Sequence, residues 1–180
     1  MTQIELTKLR YPIGNFRFPK SFESFYLEGY IEEITDLPQR LRAATETLTA
    51  EQLETPFREN AWTVRQLVHH LADSHINLYT RIRLALTEEN PTIKTYEEQG
   101  WANLKDAAEA PIEISLNLLE SIHARSEILL KALTEQDLAR TFVHPEVPRP
   151  MPLYGAIALF AWHGDHHLAH ITSLKERKGW

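Results

Sequence analysis

Seven of the nine histidines in this chain fall in two short windows: His69, His70 and His75, then His163, His166, His167 and His170. Imidazole is the commonest protein ligand for transition metals, so the clusters point to a metal site. Residues four apart on a helix lie on one face, about 6 Å apart along the axis. His163 and His167 have that spacing, and two imidazoles so placed can share one ion at metal–nitrogen distances of about 2.0–2.1 Å. His170 lies near the same face but about 10.5 Å along the axis from His163, too far to share an ion with it. Spacing leaves two pairs open, His163/His167 and His167/His170, and turns His166 away from this face.

The third ligand must come from the other window. Periodicity sets His75 in the middle of an apolar stripe, where it reads as a core histidine with a satisfied ring nitrogen. His69 lies further round. His70 sits at the shoulder of its stripe, the angular position that His163 holds relative to its own, and that favours His70. The chain has no cysteine, so thiolate ligands, disulfides and cysteine nucleophiles are excluded and any metal is held by imidazole, carboxylate or water.

These side chains need helices to carry them. Residues 1–20, with Pro12, Gly14 and Pro19, read as an extended lead-in. Helical periodicity begins near Ser21 and runs through Tyr30, Ile34, Leu37 and Leu41, with Pro38 expected to kink or divide the helix. Thr49…Gln52 and Thr63…Gln66 have the form of capping boxes. The second opens a helix with apolar positions Val64, Leu67, Val68, Leu71, Leu78, Ile82 and Leu86. Residues 87–110 lose the pattern and read as a long crossover holding one short helix, a candidate lid or pocket wall. Pro111 suits a helix start, and the helix continues through Leu116, Leu119, Ile122, Leu129 and Leu133. Pro145, Pro148, Pro150 and Pro152 mark a stiff loop. The last helix runs from about Leu153 to Arg177, with Gly179 as its cap. The order is echoed: Leu48-Thr49-x-x-Gln52-Leu53 with Phe57, then Leu133-Thr134-x-x-Asp137-Leu138 with Phe142. The echo implies two helical hairpins joined by the crossover, an all-α four-helix bundle with a metal site built from facing helices.

Composition narrows the classes. At 180 residues, 43% apolar and 24% charged, the chain suits one globular domain spanning 1–180. A formal charge of −6 and no long basic run argue against nucleic acid as a partner. No apolar stretch is long enough for a membrane span, and no signal segment follows Met1, so a cytoplasmic location is expected.

The strings Trp62-Thr63-Val64-Arg65-Gln66-Leu67-Val68-His69-His70-Leu71-Ala72-Asp73-Ser74-His75 and Trp162-His163-Gly164-Asp165-His166-His167-Leu168-Ala169-His170-Ile171 closely resemble the YfiT branch of the DinB-like superfamily. Tyr11-Pro12-Ile13-Gly14, Leu86-Thr87-Glu88-Glu89 and Gly179-Trp180 extend the resemblance over almost the whole chain. It implies a four-helix bundle, commonly a homodimer, and one metal ion per chain on His70, His163 and His167. Three histidines leave a position open for water, whose pKa the ion lowers, and this is the basis of a metal-dependent hydrolase. Asp73, Glu97, Glu98 and Asp165 are available as its base, and none is assigned. The resemblance equally implies a thiol S-transferase using a bacillithiol-type thiol on a small-molecule substrate; a metal-binding protein without catalysis is the third reading. Zinc is the default ion, with nickel the next choice.

Overall fold

Four helices of 20 to 26 residues dominate the structure, a computed structural model that describes residues 3–180. In chain order the elements are α1 (Gln3–Arg10), α2 (Ser24–Thr45), α3 (Ala50–Leu53), α4 (Val64–Thr87), α5 (Glu98–Ala102), α6 (Lys105–Glu109), α7 (Ile112–Lys131), α8 (Glu135–Leu138), β1 (Thr141–Phe142), β2 (Met151–Pro152) and α9 (Leu153–Lys178). None of the described helices is long and apolar enough to cross a membrane.

Local chemistry explains the boundaries. Thr49 and Gln52, then Thr63 and Gln66, form reciprocal capping boxes that start α3 and α4. Thr134 and Asp137 form a third at α8. Gly179 takes the left-handed conformation at φ 69° and returns its N–H to α9, a conformation only glycine adopts without strain. The lead-in differs from expectation at its start: Gln3–Arg10 is helical, with Glu5 in its first turn and Lys8 and Arg10 in its last, as the helix dipole favours. Pro12 and Gly14 act only after that helix has ended. The crossover holds two short helices, α5 and α6. The two-residue hairpin β1–β2, at either end of the proline loop, has no signal in the periodicity.

Pro38 lies inside α2 and does not divide it. A proline at this position leaves the carbonyl four residues earlier, that of Ile34, without its helical donor. That carbonyl accepts a hydrogen bond from His123 Nδ1 of α7 instead, so the lost bond is replaced from a neighbouring helix.

Cross-helix contacts fix the directions. Arg42 meets Asn117 and Glu120 while Ile34 meets His123, so α2 and α7 are antiparallel. His69 meets Ser115 and His75 meets His123, so α4 and α7 are parallel. His75 meets His163 and His70 meets His167, so α4 and α9 are antiparallel. Arg40 bonds Asp165 and Lys175 bonds the Ala44 carbonyl, so α2 and α9 are parallel. The order round the bundle is α2, α7, α4, α9. This corrects the expected hairpins: α2 and α4 stand on one diagonal, α7 and α9 on the other, and each packs on both helices of the opposite half. A buried stripe shows that a helix has a core face but not which neighbours share it.

The core forms two apolar clusters. One holds Leu37, Leu41, Leu67, Leu71, Leu119, Leu168 and Ile171. The other holds Ile34, Leu78, Ile82, Leu130, Phe142, Ile157 and Phe160. Along α4, α7 and α9 the change from one cluster to the other falls between residues 72 and 78, 119 and 130, and 161 and 168. Those intervals contain His75, His123, His163 and His167, and the bundle carries a histidine layer between its two apolar layers.

Candidate metal centre

The capping box at Thr63 sets the start of α4, and the burial of Leu67, Val68 and Leu71 sets its rotation. Both neighbouring histidines are then buried, and their surroundings differ. His69 Nδ1 lies 2.7 Å from Ser115 Oγ and its Nε2 lies 3.2 Å from the Ala110 carbonyl. A carbonyl only accepts, so Nε2 carries the proton and Nδ1 accepts from the serine. His69 is therefore a satisfied strut between α4 and the end of the crossover. His70 is only 4% exposed and its ring lies 4.5 Å from that of Trp62. Trp62 is itself held by a 3.0 Å bond from its Nε1 to Gln99 of α5.

His70 faces α9. Its ring centroid lies 5.4 Å from that of His163 and 5.0 Å from that of His167. The Nε2 atoms of His163 and His167 are 3.2 Å apart, and one ring nitrogen from each of the three residues lies within 4.8 Å of the others. Two nitrogens bound to one tetrahedral ion stand about 3.3–3.4 Å apart, so the His163–His167 separation fits a shared ion. Burial pushes His70 down to about 4. It also holds His163 and His167 well below the ordinary imidazole value, and the neighbouring histidines lower them further. All three are thus neutral at pH 7, the form that ligates metal. His167 Nδ1 is buried without a hydrogen-bond partner among the described residues.

A second group, His166, His167 and His170, also brings ring nitrogens within 4.8 Å of one another. His166, whose angular position turns it from the His163/His167 face, is buried there among aromatic rings. It is 8% exposed, stacks on Trp162 at 4.6 Å and lies 6.2 Å from Tyr11. Its Nε2 is 3.1 Å from that of His170, and His170 stacks on Phe57 at 4.2 Å. These two rings face the N-terminal segment and the residue 54–62 loop, away from His70.

Beside His163 is a cavity of about 240 Å³. Leu78, Phe142, Met151 and Phe160 give it apolar walls, and Arg81, Tyr96 and Glu98 give it a polar side. The crossover and the hairpin are joined there: Val143 N–H bonds the Pro91 carbonyl at 2.8 Å and Ile93 N–H bonds the Val143 carbonyl at 3.0 Å. Residues 87–110 thus supply part of the pocket wall. Of the carboxylates, Asp165 is engaged by Arg40 at 2.7 Å, Glu97 is exposed, Glu98 lines the cavity, and Asp73 is half-buried. Burial, with Asp106 adding to it, pushes the Asp73 carboxyl up to about 6.

One histidine of this layer carries no signal in the spacing argument. His123 is 1% exposed and its Nε2 lies 2.6 Å from His75 Nδ1. It follows Leu116 and Leu119 and precedes Leu130 on the buried stripe of α7, so periodicity assigns it to the core but gives it no partner. His75 is fully buried, and its Nε2 lies 3.5 Å from His163 Nδ1.

Known proteins resemble this chain over nearly its whole length. The sequence profile of the DinB superfamily matches residues 33–171. A Bacillus cereus (strain 03BB102) protein named "putative metal-dependent hydrolase" is 50% identical over 175 residues, covering 97% of this chain and all of the relative. A Bacillus anthracis protein of the same name is 49% identical over the same shares. Among solved structures, YfiT from Bacillus subtilis, described as a probable metal-dependent hydrolase with an unusual four-helix bundle topology, superposes with a TM-score of 0.94 at 44% identity. That match covers 96% of this chain and 99% of YfiT.

Proposed function

The chain belongs to the DinB superfamily, and from that premise we propose that it is a metal-dependent hydrolase whose divalent ion is held by His70, His163 and His167. One observation carries the reading: three neutral imidazoles on two antiparallel helices bring ring nitrogens within 4.8 Å of one another beside a cavity. Zinc suits this donor set by default, and nickel is the next choice. A divalent ion held by these three residues would supply Lewis-acid chemistry, making a water molecule acidic enough to act as a nucleophile near neutrality.

The protein's own groups supply the remaining functions. Trp62 and the apolar layers fix the ligand rings and keep them neutral. The apolar walls of the cavity exclude water and hold the body of a small-molecule substrate. Arg81 Nε and Tyr96 Oη, both buried without partners among the described residues, offer donors to its polar part. Asp73 lies close enough to the cavity for its charge to act on Tyr96, and with its carboxyl pushed up to about 6 it is the candidate to take up a proton near neutrality.

The absence of cysteine favours a second reading of the same site, a thiol S-transferase. Its nucleophile would be a bacillithiol-type thiol brought from outside the chain, and an ion held by the three histidines would favour its thiolate form. Elemental analysis of untagged protein tests the site. One metal per chain, lost in His70→Ala, His163→Ala and His167→Ala but kept in His170→Ala, supports it. No metal in the wild type after incubation with zinc or nickel overturns it, as does full retention in any of the first three variants. Turnover of an electrophile only with added thiol selects the transferase, and turnover without thiol selects the hydrolase. Bound metal with neither activity leaves a metal-binding protein.

A further inference from the structure

The two histidines of the buried layer that are not candidate ligands, His75 and His123, join one ligand to the backbone of α2. From α2 inward the contacts run Ile34 carbonyl to His123 Nδ1, His123 Nε2 to His75 Nδ1 at 2.6 Å, and His75 Nε2 to His163 Nδ1 at 3.5 Å. The next nitrogen, His163 Nε2, is the one that faces His167. The His75 and His123 ring planes agree within 7°, so with nitrogens 2.6 Å apart they meet edge to edge, as a hydrogen bond between imidazoles requires. Phe160 covers both rings, at 4.0 and 5.9 Å.

The direction of every bond follows from its first member. A carbonyl can only accept, so His123 Nδ1 carries a proton. A neutral imidazole has one N–H, which leaves His123 Nε2 as an acceptor and requires a proton on His75 Nδ1. The same rule makes His75 Nε2 an acceptor and puts a proton on His163 Nδ1. His163 Nε2 is then a bare lone pair. The rule needs the rings neutral; His75 and His123 are both shut off from solvent, at 0% and 1% exposure, and their partners among the described residues are imidazoles and a carbonyl, with no carboxylate to hold a charge. The first carbonyl is available because Pro38 has no N–H to give it.

We propose that His123 and His75 are positioning residues acting in series, transmitting the polarity of the Ile34 carbonyl to His163 so that its Nε2 lone pair is presented to the metal position. This rests on His163 being a metal ligand, and it explains why two fully buried polar rings occupy the centre of the bundle. Ligating histidines are generally oriented by an acceptor on the second nitrogen, and loss of such a partner typically weakens metal binding 10–100-fold. Here the acceptor is itself a histidine, and its tautomer is set by a third.

Two measurements test this. Long-range nitrogen–proton NMR on the metal-free wild type reads the tautomers directly. The expected pattern is a proton on Nδ1 of His123, His75 and His163; a proton on Nε2 of His75 or His163 overturns the proposal. Co²⁺ titration, followed by its visible spectrum, compares the wild type with His123→Leu and His123→Gln. The leucine variant is expected to bind 10–100-fold more weakly. The glutamine variant, whose amide can donate toward Ile34 and accept from His75, is expected to recover part of that loss. Unchanged affinity in a folded leucine variant overturns the proposal. Should that variant not fold, the wild-type tautomers still decide. Failure of the wild type to bind Co²⁺ would instead sink the metal reading, leaving the tautomer result to stand by itself.

Discussion

Replacing Gly164 with alanine tests how closely α9 must approach α2 for its two site histidines to be placed. A Cβ at this position would lie 2.4 Å from Leu37 Cδ2 and 3.4 Å from its Cδ1 and Cγ. Leu37 is 1% exposed and belongs to the core, so its side chain has little free space to rotate into. Restoring ordinary contact needs about 1 Å of movement, taken by Leu37 or by separation of the helices. Two effects oppose. Alanine is favoured over glycine inside a helix by about 0.5–1 kcal/mol, whereas overpacking a filled core costs about 1–3 kcal/mol. The net expectation is a loss of about 0–2.5 kcal/mol, with the larger consequence at the site, because Gly164 adjoins His163. Urea denaturation of the metal-free protein reads the first effect, and Co²⁺ affinity reads the second. Leu37→Ala should relieve the contact, so the double variant should be more stable than the sum of the two single losses predicts. A Gly164→Ala protein that is more stable by 0.5–1 kcal/mol, the full helix-propensity gain, with unchanged Co²⁺ affinity would refute the close-approach argument.

Three further outcomes follow from the structure. His69→Ala should destabilise the protein by about 1–3 kcal/mol, since the Ser115 hydroxyl loses its buried partner, although the Ala110 carbonyl keeps its bond from Arg65, while metal content stays at the wild-type level; this contrasts two adjacent histidines in one assay. In the metal-free protein, His70 and His123 are both depressed to about 4, so the unfolded chain takes up protons first as pH falls below the ordinary imidazole value. Their contribution is fully present above about pH 6.5 and is lost as pH falls toward 4, so denaturation midpoints should drop across that window; a flat profile would show that the rings are not buried neutral. If Asp73 takes up the proton, activity should rise with pH through about 6, and Asp73→Asn should remove that limb of the profile; an unchanged limb assigns it to another group.

Much of the architecture is written locally. The capping boxes at Thr49 and Thr63, the glycine cap at Gly179 and the stripes on the four long helices are short-range chemistry, and each appears at its expected position. The i,i+4 spacing of His163 and His167 is likewise a property of one helix and can be read without knowing what surrounds it. His70 came from angular position on its stripe, supported by the resemblance to a known family.

What remained hidden depends on neighbours. The same α9 face offered His167/His170 as readily as His163/His167. The choice of the pair that meets His70 comes from the antiparallel packing of α4 on α9. The helix order, with each half split across a diagonal, depends on which buried stripes meet. His69 and His70 are alike in type and burial, yet one finds a serine and a carbonyl while the other finds two imidazoles. His123 is a single histidine on an apolar stripe, and Pro38 reads as a helix breaker. Only when α2 lies against α7 does the carbonyl that Pro38 leaves free become the acceptor for that histidine. The sequence by itself determined the helices, their caps and the histidine-bearing faces, because those follow from contacts within a few residues. The tertiary structure decided which histidines converge and which nitrogen each presents, because hydrogen-bond direction and metal-scale distances are set between helices far apart in the chain.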